Sequence, residues 1–148
     1  MALTPAEDKT AFWKRLRHDP WLEKSFALTG KSDAQAAKKI RKNRVINDTE
    51  LKGDVRFCLI FDAPSMELDG PYETSCIQVD MLVPLSAQDW ADSRLSQVIA
   101  LCGKNWSVNG RAIAKVVRVA ELSATPGFYR CGARFYYYSC TENQIKKI

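Results

Sequence analysis

The segment TPGFYRCGARFYYYSC, residues 125–140, holds the side chains of this chain that are best suited to chemistry. It places two arginines and two cysteines among aromatic rings. Such a segment could supply a thiol nucleophile, a platform on which nucleic-acid bases stack, or simply a strand of a sheet. The rest of the chain must decide among these uses.

Cysteine reactivity finds little support in the sequence. The chain has five cysteines, an odd number, at wide spacings and mostly in apolar segments: Cys58, Cys76, Cys102, Cys131 and Cys140. It contains no Cys-x-x-Cys pair, and His18 is its only histidine. A Cys/His catalytic pair would have to use His18, and a zinc site would have to consist of thiolates alone. The cysteines are therefore predicted to be reduced packing residues.

Acidic residues offer a second route to chemistry. Asp62, Asp80 and Asp89 could together hold a metal ion, but a strand end, a strand and a helix cap account for each of them separately. The chain has no Gly-rich phosphate loop, nucleophile elbow or His-containing metal motif. We therefore expect no catalytic residue, no metal site and no cofactor, and we expect that the protein is not an enzyme.

Side chains alternate between the two faces of a strand, and this divides the segment into two sets. The set expected in a helix-covered core is Tyr129, Cys131, Ala133, Phe135 and Tyr137. The set expected on an open face is Phe128, Arg130, Gly132, Arg134, Tyr136 and Tyr138. Arginines between aromatic rings can hold phosphates and stack bases, but the same residues also make good strands. The segment lacks the glycine-flanked aromatic pattern of an RNA-recognition sheet.

A basic cluster lies earlier in the chain, in the segment KKIRKNR. Its five bases, Lys38, Lys39, Arg41, Lys42 and Arg44, are candidates for contacts with phosphate groups. The alternative is a solvated helix end, where cations complement the helix dipole.

The net charge of +5 is unevenly distributed along the chain. Residues 58–93 contain seven acids and no base, whereas residues 94–134 contain seven bases and one acid. If acids of one copy meet bases of the next, the contact is heterologous and can close into a ring. The alternative is that the charges cancel within one subunit. The predicted interface residues are Asp62, Glu67, Asp69, Asp89, Asp92, Arg111, Arg118, Arg130, Arg134, Tyr136 and Tyr138.

The order of elements predicts a single α+β domain over residues 1–148. Residues 1–53 are predicted to be a helical N-terminal segment with capping boxes at Thr4 and Ser32. Residues 54–139 form the core, in which a helix capped by Ser86 separates two pairs of strands and Asn109-Gly110 makes a hairpin turn. We expect a four-stranded, mainly antiparallel sheet covered on one face by helices, followed by a short tail, residues 140–148.

The sequence gives no sign of a membrane location. No apolar run approaches the ~20 residues that a membrane span requires. The N-terminal residues lack the basic-then-apolar layout of a signal peptide. We therefore expect a protein of the cytosol that makes no membrane contact.

Five segments follow one another after an N-terminal helix in a familiar order: IFDAPS, CIQVDMLVP, DWADSRLSQVIALCG, VNGRAI and TPGFYRCGARFYYYS. This layout resembles the small tail-terminator, or tail-completion, proteins of long-tailed bacteriophages. Related neck and head-tail joining proteins share much of the plan. The resemblance covers about residues 54–139, and the basic N-terminal region departs from it.

The resemblance implies a structural protein of the virion tail or neck, assembled in the host cytoplasm and without an active site. Such proteins form a ring, expected here to be a homohexamer, that caps the tail tube. The ring would contact the tail tube protein and the head-closure or connector protein, and genome DNA would pass through its lumen without sequence-specific contact. The segments 78–83, 89–102 and 130–138 would be framework, and loop 63–73 a candidate partner-contacting loop.

Two alternatives remain open at this point. One is a head-closure or connector protein of the same neck. The other, from a different class, is a small nucleic-acid-binding module that uses Arg130, Arg134, Tyr136 and the basic cluster at 38–44.

Overall fold

The computed structural model describes residues 5–64, 74–119 and 122–138. Within these ranges the helices are α1 (Pro5–Arg17), α2 (Pro20–Ser25), α3 (Asp33–Ala36) and α4 (Gln88–Cys102). The strands are β1 (Ile40–Arg41), β2 (Phe57–Asp62), β3 (Thr74–Pro84), β4 (Ser107–Val108), β5 (Arg111–Val119) and β6 (Phe128–Tyr138). The predictions for Thr4, residues 65–73 of the partner-contacting loop with Glu67 and Asp69, Cys140 and the tail 140–148 fall outside the described residues.

The α+β class is correct, but the predicted four-stranded, mainly antiparallel sheet is wrong. The described strands form one six-stranded sheet in the order β1-β2-β3-β6-β5-β4, curled into a half-barrel. β1 runs parallel to β2, and the other neighbouring pairs are antiparallel. The sheet is therefore mixed, and β1 and β4 are its two additional strands.

The sequence does not predict β1 because this strand lies inside the basic cluster and is only two residues long. A strand of that length cannot show a period of two, so tertiary contacts decide it. Ile40 is buried. The backbone N–H of Cys58 donates to the carbonyl of Lys39 at 2.8 Å, and the indole Nε1 of Trp13 donates to the carbonyl of Ile40 at 2.7 Å. The chain thus turns from α3 into the sheet where a helix end was expected.

The long antiparallel pair of β3 and β6 forms the centre of the sheet. Its register runs over eleven residue pairs, from Thr74 opposite Tyr138 to Pro84 opposite Phe128. Directly opposed residues of antiparallel strands point to the same side of the sheet. The core set predicted for β6 is confirmed, with Tyr129 partly buried at its edge and four residues fully buried: Cys131, Ala133, Phe135 and Tyr137.

Helices α1 and α4 cover this first face of the sheet. Phe12 and Leu16 of α1 and Leu95 of α4 are buried in the same apolar cluster as the inward side chains of β3 and β6. The ring centroids of Phe12 and Phe135 lie 5.4 Å apart. Burying each such side chain contributes about 1.5–3 kcal/mol. None of the helices in the described ranges is long and apolar enough to cross a membrane.

Two of the predicted helix starts have different outcomes. The capping box at Ser32 is confirmed, because Ser32 Oγ accepts from the backbone N–H of Gln35 and Gln35 Oε1 accepts from that of Ser32. The predicted cap at Ser86 is wrong. Ser86 lies in a 3₁₀ turn, Leu85–Ala87, and α4 begins after that turn without a side-chain cap.

The predicted Asn109-Gly110 hairpin turn is confirmed. It joins β4 to β5, and both residues have positive φ, 50° for Asn109 and 85° for Gly110. Positive φ at both central residues is the geometry of a type I′ turn, whose twist matches that of the strands it connects.

Trp13→Phe tests the anchoring of β1. The substitution removes the indole donor and leaves the buried Ile40 carbonyl without its side-chain partner, so we expect a loss of about 1–3 kcal/mol in the free energy of unfolding. Urea unfolding measures it. Trp21→Phe, at a tryptophan 41 % exposed, is the matched control and should cost much less. Equal losses for the two variants would contradict the role given to Trp13.

Candidate functional site

The second face of the sheet was predicted to be open, and this is wrong over much of its area. An apolar cluster forms there from Ile46, Phe57, Leu59, Phe61 and Leu82. Leu51 and Val55, from the segment between β1 and β2, pack against it. Tyr136 is also buried. The chain between β1 and β2 therefore covers part of the face that carries the arginines of β6.

Beside this cluster, four polar side chains form a hydrogen-bonded chain. Asp80 accepts at Oδ1 from Gln78 Nε2 (2.7 Å) and at Oδ2 from Arg130 Nε (2.6 Å). Gln78 Oε1 accepts from Arg134 Nε at 2.9 Å. The register of β3 and β6 brings these groups together, since Gln78 faces Arg134 and Asp80 faces Gly132. Asp80 is 1 % exposed and Gln78 is 4 % exposed. The hydrogen bonds that hold Arg130 and Arg134 therefore come from buried side chains.

Gly132 provides the space that the Asp80 carboxylate occupies. A Cβ atom at position 132 would lie 1.9 Å from Asp80 Oδ1, far inside van der Waals contact. Glycine in the middle of a strand commonly marks such a close approach. The position requires glycine because of its neighbour and not because of a turn.

Burial raises the pKa of the Asp80 carboxyl, while the hydrogen bond from Gln78 and the charge of Arg130 oppose this rise. The side chain of Arg130 is itself only 15 % exposed. Its Nη2 donates to the backbone carbonyl of Arg44 at 3.0 Å. The ion pair thus links β3, β6 and the chain that follows β1.

A pocket of about 300 Å³ opens next to this network. Its charged and amide lining consists of Arg44, Asp62, Gln78, Asp80, Arg130 and Arg134. The guanidinium carbons of Arg44 and Arg130 lie 5.9 Å and 5.7 Å from the centroid of the Phe61 ring. Both distances are in the range of cation–π contacts. The arginine face of β6 and the end of the basic cluster therefore meet at one pocket.

The remaining bases of the cluster do not line this pocket. Lys38 is exposed, and Lys42 Nζ donates to Thr10 Oγ1 at 3.0 Å. Arg41 makes a bidentate contact with Glu50, at 2.9 Å and 2.7 Å. Lys39 lies over the ring of Phe57 at 5.5 Å from its centroid. Contact of these four bases with phosphate stays a prediction.

The predicted interface residues of α4 and β5 lie on the surface. Asp89 and Asp92 are exposed on α4, and Asp92 accepts from the hydroxyl of Tyr129 at 2.7 Å. Arg118 is exposed on β5 and donates to Ser96 Oγ at 2.6 Å. Tyr138 ends β6 opposite Thr74. Their role in an interface stays a prediction.

A second buried carboxylate, Asp8 of α1, ties that helix to the β4–β5 hairpin. Its Oδ2 accepts from the Tyr137 hydroxyl at 2.7 Å, and its Oδ1 accepts from Asn109 Nδ2 at 3.1 Å. Arg111 forms an ion pair with the same oxygen. Burial, together with the bond to Asp8, raises the pKa of the Tyr137 hydroxyl. Arg111, one of the predicted interface residues, thus has a partner inside the subunit.

The described cysteines are buried, free thiols, as predicted: Cys58, Cys76, Cys102 and Cys131. Burial raises the pKa of Cys76 to about 11 and that of Cys131 to about 12. It also raises the pKa values of Cys58 and Cys102. Among the residues that the structure describes, no three His, Cys, Asp or Glu side chains are placed to hold a metal ion.

Sequence reasoning did not select Gln78 or Asp8 as site residues. Gln78 and Asp80 are the only polar residues of the run CIQVDMLV, and their spacing of two places both on the same face of the strand. That pattern could have pointed to a buried polar pair. Asp8 carried no such signal, because an acid in the first turn of a helix is ordinarily a complement to the helix dipole.

A scan against protein-family models and a search of curated proteins both find no match to this chain.

Arg130→Met tests the buried ion pair. It leaves the Asp80 carboxylate buried without its cation, and we expect a loss of about 3–5 kcal/mol in the free energy of unfolding near neutral pH. The loss should shrink as the pH falls. Arg130 lowers the pKa of the buried Asp80 carboxyl, so its removal raises that pKa further, and the folded variant takes up the proton at a higher pH than the wild type does. Urea unfolding at two pH values measures both effects.

The double variant Asp80→Leu/Arg130→Met removes both charges and should be more stable than Arg130→Met alone. Arg118→Met, at an exposed arginine of β5, is the control. An Arg130→Met variant no less stable than this control at neutral pH would contradict a structural ion pair.

Thiol labelling tests the cysteine assignment. With a pKa of about 11, only roughly one Cys76 thiol in a thousand is ionised near pH 8, so alkylation should be slow even where the reagent reaches it. A Cys140→Ser variant leaves the four buried thiols alone. We expect mass spectrometry to show no iodoacetamide label in the folded variant and four labels after unfolding in urea. Rapid labelling of the folded variant would contradict the assignment of these cysteines as unreactive packing residues.

Proposed function

We propose that this protein is a ring-forming subunit of the neck of a long-tailed bacteriophage, a tail terminator that caps the tail tube and joins the tail to the head. The order of segments from IFDAPS to TPGFYRCGARFYYYS supports this role. The buried Asp8 and Asp80 are both accounted for by hydrogen bonds and ion pairs that tie elements of the fold together. Their arrangement fits a structural protein.

The outer edge of β5 is the observation that carries this proposal. β5 pairs with β6 along most of its length, but on its other side the described residues provide ladder partners only at Arg111 and Ala112. Within the described part of the chain, the backbone of residues 114–119 therefore has no ladder partner on that side, and such a strand edge is a template for contact with another chain. Lys115 and Arg118 are exposed along this edge.

The charges on this edge suit a partner with acidic groups. A lysine on an edge strand discourages non-specific pairing with other strands. A specific partner must therefore neutralise the positive charge of that lysine. Asp89 and Asp92, exposed on α4, are acids that a neighbouring copy could supply. A contact between the β5 edge of one copy and α4 of the next would be heterologous, the type of contact that builds rings.

Light scattering coupled to size exclusion, followed by negative-stain microscopy, tests the proposal. We expect a closed ring, sixfold by the resemblance to tail terminators, with a central channel. A stable monomer that binds DNA with a steep salt dependence would contradict the ring and favour a nucleic-acid-binding module.

Charge reversal tests the predicted contact. Asp89→Lys together with Asp92→Lys should raise the concentration needed for half-assembly by about tenfold or more, because like charges would then face each other across the interface. Since Asp92 also accepts a hydrogen bond from Tyr129, Asp89→Lys alone is the cleaner variant and should act in the same direction.

The control is Lys24→Glu with Lys31→Glu, two exposed lysines outside the acidic segment 58–93 and the basic segment 94–134. Sedimentation measures assembly, and thermal unfolding measures the fold. Unchanged assembly in the aspartate variants, or equal weakening in the lysine control, would count against a charge-complementary interface.

A further inference from the structure

Among the residues that the structure describes, the lining of the pocket beside Asp80 has more positive than negative side chains. Three arginines, Arg44, Arg130 and Arg134, line it. Asp80 forms an ion pair with Arg130. Among the described residues, neither Arg44 nor Arg134 has a carboxylate within ion-pair distance. Asp62 also lines the pocket and is exposed, and it forms no ion pair with Arg44 or Arg134.

Arg134 and Arg130 are held in fixed orientations by hydrogen bonds to buried groups. Gln78 Oε1 accepts from Arg134 Nε, and both terminal nitrogens of that guanidinium are left without a partner among the described residues. Asp80 holds Arg130 by the same nitrogen of its side chain, at 2.6 Å. Anchored at Nε, the Arg134 guanidinium presents its two remaining nitrogens as a fork, which matches two oxygens of one anion. Arg130 keeps only Nη1 for such a contact, because its Nη2 donates to the carbonyl of Arg44. The buried Gln78 and Asp80 are the groups that set these orientations.

We propose that this pocket binds a phosphate group, with Arg134 and Arg44 as its direct ligands and Arg130, held by Asp80, at its base. Two guanidiniums that form no ion pair among the described residues suit an anion with several acceptor oxygens, and the described lining as a whole has three arginines against two aspartates. A single carboxylate would occupy only one guanidinium fork. The pocket holds about 300 Å³, which is ample for a phosphate with part of the molecule that bears it.

The phosphate can come from a nucleic-acid backbone or from a small phosphorylated compound. Exposed Lys42 follows β1 two residues before Arg44, so the path of a nucleic-acid strand away from the pocket would remain basic. This inference does not depend on ring assembly, because all three arginines belong to one subunit. A failure of either proposal therefore leaves the other standing.

The test compares the full chain with Arg134→Gln and Arg44→Gln. The control is Arg118→Gln, which removes the same charge from an exposed arginine of β5. Calorimetry measures binding of inorganic phosphate, with sodium glutamate as the carboxylate comparison. Fluorescence anisotropy measures binding of a short DNA duplex over a range of salt concentrations. Thermal unfolding checks each variant, and Arg44, which is exposed, provides a variant that should leave the fold unchanged.

We expect Arg134→Gln to weaken phosphate binding by about tenfold or more and Arg44→Gln to weaken it severalfold, with no effect of Arg118→Gln. If the ligand is a nucleic-acid backbone, both pocket variants also weaken duplex binding and lower the slope of log K against log salt by about 1 each. If duplex binding is unchanged while phosphate binding falls, the pocket serves a small phosphorylated compound. Both results support a phosphate site.

Three results would overturn the inference. The first is phosphate binding that is the same in the wild type and both pocket variants, including no binding in any of them. The second is an equal effect of the Arg118→Gln control. The third is glutamate binding that depends on Arg134 while phosphate binding does not, which would make the pocket a receptor for a carboxylate.

Discussion

The antiparallel pairing of β3 with β6 is the constraint on which the rest of the molecule depends. These two strands are the longest in the described sheet and occupy its middle, so every other strand is added outward from them. Their register decides which side chains meet the helices and which meet the chain between β1 and β2. A shift of either strand by one residue would turn its own side chains to the opposite face, which would place Asp80 of β3 or Arg130 of β6 in the apolar core.

The two faces of the sheet are held by different forces. Apolar burial under α1 and α4 supplies the first, whereas the second combines a small apolar cluster with the network of Gln78, Asp80 and two arginines. Buried ion pairs contribute little net stability, but breaking one of them is costly. Removal of one partner of the Asp80 pair should therefore cost more than the intact pair contributes. Together with the Asp8 pair it joins segments that are far apart in the chain.

Much of this fold can be predicted from the sequence wherever a pattern is local. The faces of β6 follow from strict alternation, and the Asn109-Gly110 turn follows from residues that tolerate positive φ. β1 could not be predicted, because two residues carry no period and its position depends on Trp13 and Lys39. The pocket could not be predicted either. Arg44 and Arg134 are remote in sequence, and their meeting depends on the curl of the sheet and on its register.

Gly132 has a consequence for how this chain can vary. Any side chain at position 132 would overlap the Asp80 carboxylate, so the residue that fits at one of these positions depends on the residue at the other. An alanine at position 132 would fit only if residue 80 were smaller than aspartate. Arg130 would then have lost the carboxylate with which it forms an ion pair. Positions 80, 130 and 132 are therefore coupled, and a substitution at one of them requires a compensating substitution at another.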